Sequence, residues 1–196
     1  MTPLVLASTS PYRKELLSKL GLPFVAERPL FDEDSAKTQP MLADQLCQFL
    51  GQEKARSLAK ADNCVIGGDQ MLVLGTEILG KPGTKENACQ QLQKMQGRTH
   101  ELLTSVSIYH QLHLHQFLNR TRLTMTPLSA EQIQNYVNLD LPLDCAGSYK
   151  IEKHGITLFE KIETEDFTAI QGLPLLNLSQ ILRKLGYIIP FKTKKN

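Results

Sequence analysis

The sequence predicts an α/β fold: a mixed β-sheet flanked by helices and divided into two lobes. Three observations predict it. Short apolar runs alternate with segments of helical period along the whole chain. Two stretches, 64–79 and 100–126, read as β-hairpins. Ser or Thr caps and Gly stops bracket several of the helical segments. The 196 residues suit a single domain and suffice for a sizeable core.

The elements follow in order. Leu4–Ala7 is an apolar run ending in small polar residues, a buried strand. Ser10-Pro11 opens a helix, with Ser as the cap and Pro at the first helical position. Leu16, Leu17 and Leu20 mark its inner face, and Gly21 ends it. Phe24–Ala26 is a second strand. The spacing of Leu42, Leu46, Phe49, Leu50, Ala55 and Leu58 predicts a long helix over Met41–Lys60. Cys64–Leu74, Gly75-Thr76 and Glu77–Leu79 form a hairpin. Thr84 opens a helix that Gly97 closes. His100–His110 and His113–Thr126 make a second, longer hairpin. Ser129 and Gln132 fit a capping box for a helix to about Leu139. Ile156–Ile162 and Phe167–Ile170 read as strands, and Pro174–Leu185 as the last helix, stopped by Gly186.

Composition narrows the function. A net charge of +2 gives no electrostatic case for a nucleic-acid or membrane partner. The basic tail Lys192-Thr193-Lys194-Lys195 reads as a solvated end. Four cysteines without a CxxC pair argue against zinc and for a reducing compartment, three of them in apolar surroundings. No basic leader and no run near the ~20 apolar residues of a membrane span is present, so the expected location is the cytoplasm.

Several clusters carry chemistry. In Ala7-Ser8-Thr9-Ser10-Pro11-Tyr12-Arg13 a strand gives way to hydroxyls and a helix start, whose free N–H groups and Arg13 can hold an anion. Read alone, the same residues are a plain helix cap with a surface Arg. Asp69 and Gln70 interrupt an apolar strand after Gly67-Gly68. A carboxylate there needs a partner or a cation, so a functional role outweighs a bulge satisfied by backbone N–H groups. The hairpin turn sets Lys81 opposite Gln70 if the turn has two residues, and opposite Asp69 if it has three. Gly75-x-x-x-x-Gly80-Lys81 begins like a P-loop, but Pro82 stands where the Mg²⁺-holding hydroxyl belongs. Asp32-Glu33-Asp34 reads as a solvated acidic loop that could also ligate a hard cation. Glu53-Lys54 reads as a solvated helix face. His110, His113 and His115 read as exposed residues of a hairpin tip. Arg98-Thr99-His100 fits either a helix-end contact or a phosphate contact, and Glu152 follows a loop of small residues and Tyr149.

Taken together, these blocks resemble a known family. Leu4–Leu17, Asp32-Glu33, Gln52–Ala55, Gly68-Asp69-Gln70, Gly80-Lys81-Pro82, Gly97–His100, Ala146–Tyr149 and Gly172-Leu173-Pro174 occur in the order seen in Maf-like nucleotide pyrophosphatases. The resemblance spans nearly all of residues 1–196 as one Maf-like domain. It implies an elongated fold of the Maf and ITPase kind, with two lobes around a deep cleft. It also implies hydrolysis of nucleoside triphosphates to monophosphate and pyrophosphate with a divalent cation, Mg²⁺ or Mn²⁺. By that resemblance Ser8, Arg13, Lys54 and Lys81 bind phosphate, Glu33 helps hold the metal, and Asp69 is the general base or a metal ligand. A homodimer is implied too.

Three positions separate subfamilies. The type acting on dTTP and UTP carries Arg, Thr and Gln there; this chain has Tyr12, Gln70 and Glu152. That set resembles the YceF type, which acts on 7-methyl-GTP and often has Trp at the first position. The chemistry agrees. N7-methylation makes guanine cationic, an aromatic face attracts a cation by about 0.5–2 kcal/mol, and a carboxylate adds to it. The expectation is a pyrophosphatase that clears a modified nucleotide. The alternatives are a dTTP/UTP enzyme of the same family and a non-catalytic nucleotide-binding regulator of cell division.

Overall fold

The structure, a computed structural model, describes residues 2–33 and 40–189. Asp34 and the basic tail therefore lie outside the described residues. Among the described residues seven strands form one mixed sheet, in the order β2-β1-β3-β5-β6-β7 with β4 beside β3. They are β1 (Leu4–Ala7), β2 (Val25–Glu27), β3 (Cys64–Leu74), β4 (Glu77–Leu79), β5 (Thr99–His110), β6 (His113–Met125) and β7 (Phe159–Glu163). The α-helices described are α1 (Pro11–Ser18), α2 (Ala43–Arg56), α3 (Lys85–Met95), α4 (Ala130–Asp140) and α5 (Leu175–Lys184). β1 runs parallel to β2 and β3, while β4 on β3 and β7 on β6 are antiparallel.

The chain divides into two compact units, 1–69 with 104–119 and 166–196, and 70–103 with 120–165. In the first unit, β1 is buried on both faces, as a parallel strand covered by helices must be. Leu4 and Leu6 join a core with Leu17, Ile66, Val106 and Leu182, while Val5 and Ala7 pack with Ala55 and Val65. The Tyr187 hydroxyl donates to the Thr2 carbonyl at 2.9 Å. In the second unit α3 packs on α4, burying Leu92, Met95, Ile133 and Val137. His100, Tyr149 and Phe159 form an aromatic cluster, with Tyr149 edge-on to Phe159 at 4.9 Å between ring centres. Burial pushes the His100 imidazole down to about 4, and burial pushes the Tyr149 phenol well up.

Local chemistry explains where the elements start and stop. Ser10, Thr84 and Ser129 cap α1, α3 and α4, the last with the full capping box to Gln132. The β3–β4 turn has two residues, since Leu74 faces Glu77 and Leu72 faces Leu79. That is the two-residue register of the two alternatives; the ladder stops at Leu72 and Leu79, short of Lys81. The β5–β6 turn places both Gln111 (φ 50°) and Leu112 (φ 63°) in the left-handed region, the geometry of a type I′ turn.

Five expectations change. The helix predicted over 41–60 runs only over Ala43–Arg56. Past Ser57 the bonds tighten to three-residue spacing, Leu58 N–H to the Ala55 carbonyl and Ala59 N–H to the Arg56 carbonyl. Asn63 then holds the following loop, accepting from the Lys60 N–H at 2.8 Å and donating to the Leu58 carbonyl at 3.0 Å. The strand predicted from Ile156 begins at Phe159, because residues 154–158 wind into a 3₁₀ turn held by Asp140, which accepts from the His154 N–H at 3.1 Å. Phe167–Gln171 is 3₁₀ rather than strand. There the Asp166 carboxylate accepts from the Thr168 N–H and hydroxyl and from the Leu176 N–H, which curls the chain. At the hairpin tip His113 is exposed but His110 and His115 are half-buried. Of the cysteines, Cys47 and Cys64 are buried, while Cys89 and Cys145 are partly exposed; all four are free thiols.

Candidate active site

The first unit gathers Glu33, Lys54 and Asp69. Lys54 was read as lying on a solvated helix face; it is 6% exposed. Its ammonium lies 2.6 Å from Asp69 Oδ1 and 3.1 Å from Glu33 Oε1. Burying an ammonium is costly unless opposite charges compensate it, and these two carboxylates do so. Glu53, its neighbour in sequence, instead pairs with Arg56 at 2.5 Å.

Close packing brings Lys54 to Asp69. Cys47, Gly51, Lys54 and Ala55 are buried on the face of α2 that meets β3. A side chain added to Gly67 would meet the Ala55 nitrogen at 2.5 Å and the Gly51 oxygen at 2.6 Å. One added to Gly51 would meet Ser105 Oγ at 2.6 Å and the Gly68 Cα at 3.3 Å. The glycines anticipated as a close approach therefore let a helix lie directly on strand backbone. Phe31 packs edge-on against Phe49 of α2, 6.3 Å between ring centres, tying the segment that carries Glu33 to the same helix.

The Asp69 main chain is held as well. Its N–H donates to Ser105 Oγ at 3.2 Å, and Ser105 Oγ donates to the Cys47 carbonyl at 2.6 Å. The Cys47 thiol donates to the Asp69 carbonyl at 3.5 Å. Burial, and next the Asp69 charge, push that thiol up to about 12, so it stays protonated and can donate; the charge of Arg13 reaches it and acts in the opposite sense.

Ser8 and Arg13 flank the start of α1 in the same unit. The buried Ser8 accepts from the Ser10 N–H at 3.1 Å, and Ser10 caps the Arg13 N–H at 3.4 Å. Arg13 Nε donates to the Gly172 carbonyl at 2.9 Å, which steers its guanidinium. Tyr12 is half-buried on the first turn. Gln70, Lys81 and Glu152 belong to the second unit: Gln70 half-buried, Lys81 and Glu152 exposed. The loop before Glu152 is pinned. Buried Ser148 donates to Gln91 at 2.6 Å, and the Lys150 N–H donates to the Tyr136 hydroxyl at 2.9 Å. Arg98 makes the helix-end contact, Nη1 donating to the Lys94 carbonyl at 3.2 Å.

Ser105 and Cys47 were not foreseen as parts of the site. The available signal was Thr104, Ser105 and Ser107, three hydroxyls inside an apolar strand, all fully buried and so in need of partners.

The donor chemistry fits a hard divalent cation. Two carboxylates from separate segments converge on one cationic group, and oxygen ligands are what Mg²⁺ or Mn²⁺ takes. Among the described residues no group of three or more His, Cys, Asp or Glu side chains converges as a metal site. Glu33 and Asp69 would be the oxygen donors for such a cation, which would supply neutralisation of phosphate charge there.

Known proteins resemble this chain over most of its length. A 7-methyl-GTP pyrophosphatase of Bdellovibrio bacteriovorus is 50% identical over 179 residues, covering 91% of this chain and 95% of that protein. A protein of the same name from Pseudomonas putida is 40% identical over 194 residues, covering 97% and 100%. Among solved structures, a HAM1 protein from Coxiella burnetii aligns over 94% of this chain and all of its own at 14% identity, with a TM-score of 0.48, too distant to build on. The Maf-like protein family matches residues 3–185, and the chain belongs to that family.

Proposed function

We propose that this protein hydrolyses 7-methyl-GTP to 7-methyl-GMP and pyrophosphate, clearing a modified nucleotide. The observation that carries the reading is Lys54 buried between Asp69 and Glu33, in a chain half identical to a 7-methyl-GTP pyrophosphatase. Charge neutralisation, an oriented water and a proton acceptor are what attack on phosphorus requires. The four free thiols suit the reducing cytoplasm expected from the sequence.

Each residue has a role. Lys54 and Arg13, with Lys81 and Ser8, hold the triphosphate oxygens and offset their charge. Glu33 and Asp69 are the groups to hold the divalent cation, which when bound supplies Lewis-acid neutralisation of phosphate charge. Asp69 orients the attacking water and takes its proton. The water oxygen bonds to the α-phosphorus, the bond from that phosphorus to the bridging oxygen breaks, and pyrophosphate leaves with the electron pair. Tyr12 offers its ring to the base, and Glu152 favours the positive charge of 7-methylguanine and its N–H edge. Gln70 completes the base-selecting set.

A substrate panel tests this. The purified chain is incubated with Mg²⁺ or Mn²⁺, the common nucleoside triphosphates and 7-methyl-GTP, with Asp69→Asn alongside. Preference for 7-methyl-GTP, lost in Asp69→Asn, supports the reading. Turnover of UTP or dTTP instead overturns the base assignment. Nucleotide binding with no turnover of any nucleotide overturns catalysis and leaves a regulator.

A further inference from the structure

We infer that Ser105 is a positioning residue for the hydrolysis, the strut that fixes Asp69 against the helix carrying Lys54. The inference rests on the proposed role of Asp69. Ser105 lies on β5, Asp69 on β3 and Cys47 on α2, and one hydroxyl joins all three. Its oxygen accepts from the Asp69 N–H while its proton goes to the Cys47 carbonyl. The Cys47 thiol returns a bond to the Asp69 carbonyl. Both polar atoms of the Asp69 backbone are thus tied to Cys47, one directly and one through Ser105.

The geometry gives this closed set of bonds a task. Lys54 follows Cys47 by seven residues, two helical turns along the same face of α2. Fixing Cys47 against the Asp69 backbone therefore sets where the Lys54 ammonium meets the Asp69 carboxylate. Ser105 is fully buried, so no water can replace its hydroxyl without rearrangement. The oxygen also sits where a side chain at residue 51 would be, 2.6 Å from that point, so Gly51 makes its room. Ser105 touches neither substrate nor metal in this scheme; it acts through Asp69. Misplacing a catalytic group by about 1 Å can cost as much as 100-fold in rate, so a loosened Asp69 is expected to show in kcat.

The test compares Ser105→Ala, Ser105→Thr, Ser105→Cys and Asp69→Asn in the full chain, with 7-methyl-GTP and Mg²⁺. For Ser105→Ala, kcat falls on the order of tenfold while KM stays within about twofold, and exchange of the Asp69 amide hydrogen quickens. Ser105→Thr, which keeps the hydroxyl, restores most of kcat. Ser105→Cys, of similar shape but a weaker hydrogen-bonding group, gives an intermediate kcat and serves if the alanine variant does not fold. An unchanged kcat in Ser105→Ala and Ser105→Cys, with Asp69→Asn inactive, overturns the inference alone. A kcat loss that only tracks loss of folded protein, with no rescue by Ser105→Thr, also overturns it. Full turnover by Asp69→Asn instead overturns the functional reading beneath it.

Discussion

The ammonium of Lys54 meets the carboxylate of Asp69 at 2.6 Å, and the lysine side chain is almost wholly out of water. Glu33 shares the same ammonium at 3.1 Å. Removing the lysine leaves two carboxylates facing each other. Lys54→Met is expected to lower stability by about 2 kcal/mol, short of the ~3–5 kcal/mol for breaking a fully buried pair, because Glu33 keeps some solvent. The double variant Lys54→Met with Asp69→Asn regains at least half of that. Urea unfolding of the three proteins measures it, and strict additivity would show that the pair is not coupled.

Glu152 is exposed, so its role can be tested without disturbing the fold. Glu152→Gln keeps the shape and removes the charge that favours a cationic base. The expected result is a fall of about tenfold in kcat/KM for 7-methyl-GTP, little change for GTP, and an unchanged Tm. An unaltered preference between the two nucleotides would remove Glu152 from base selection.

Gly67 and Gly80 make a matched pair. A Cβ at Gly67 collides with backbone of α2 at 2.5–2.6 Å, whereas one at Gly80 has nothing within 4 Å. Backbone cannot swing aside, so Gly67→Ala should destabilise by roughly 3 kcal/mol or more and reduce activity by shifting Lys54. Gly80→Ala should leave stability within about 0.5 kcal/mol. Thermal unfolding of both variants distinguishes a forced close approach from tolerance of any small residue.

His100 carries a pH prediction. Its ring is buried, with Nε2 3.2 Å from the Tyr149 hydroxyl and Nδ1 lacking a hydrogen-bond partner. Burial lowers it from 6.5 to about 4, so between those values the unfolded chain binds the proton and the folded chain does not. Its contribution is therefore complete above about pH 6.5, declines as pH falls, and is exhausted near pH 4. The full swing is about 3 kcal/mol. Denaturation of the native protein and of His100→Phe across that range should show the slope only in the native chain.

Much of this was legible in the sequence because it is written in local chemistry. Ser10-Pro11, Thr84 and Ser129–Gln132 are complete capping signals, and Gly75-Thr76 states its own turn. The 3₁₀ turn at 154–158 was not legible, because Asp140 holds it from fourteen positions away, whereas the one at 167–171 carries a local Asp166 cap on Thr168 that the apolar run Phe167–Ile170 masked. Asp69 stood out as a carboxylate in an apolar strand. The burial of Lys54 did not, since Glu53-Lys54 has the look of any solvated helix face until Gly67 and Gly51 are known to touch. Ser105 was hidden for a similar reason: a serine in a strand declares its burial only when its neighbours do.

The Tyr187–Thr2 bond has a consequence in time. β1 is enclosed by β2 and β3, and its Leu4 and Leu6 share a core with Leu173, Leu178 and Leu182. Pairing Leu4 with Cys64 closes a loop of about sixty residues, a slow step beside the zipping of the local β5–β6 hairpin. On the ribosome that hairpin is complete long before residues 173–187 emerge. The emerging chain can form its long hairpin early, yet the core under the strand that leads into Ser8 and Arg13 is completed only when Leu173, Leu178, Leu182 and Tyr187 arrive. Nucleotide added to a stalled chain lacking them should therefore bind more weakly than to the released protein, because the contacts proposed for Ser8 and Arg13 are not yet fixed, and full affinity should arrive as they clear the exit tunnel.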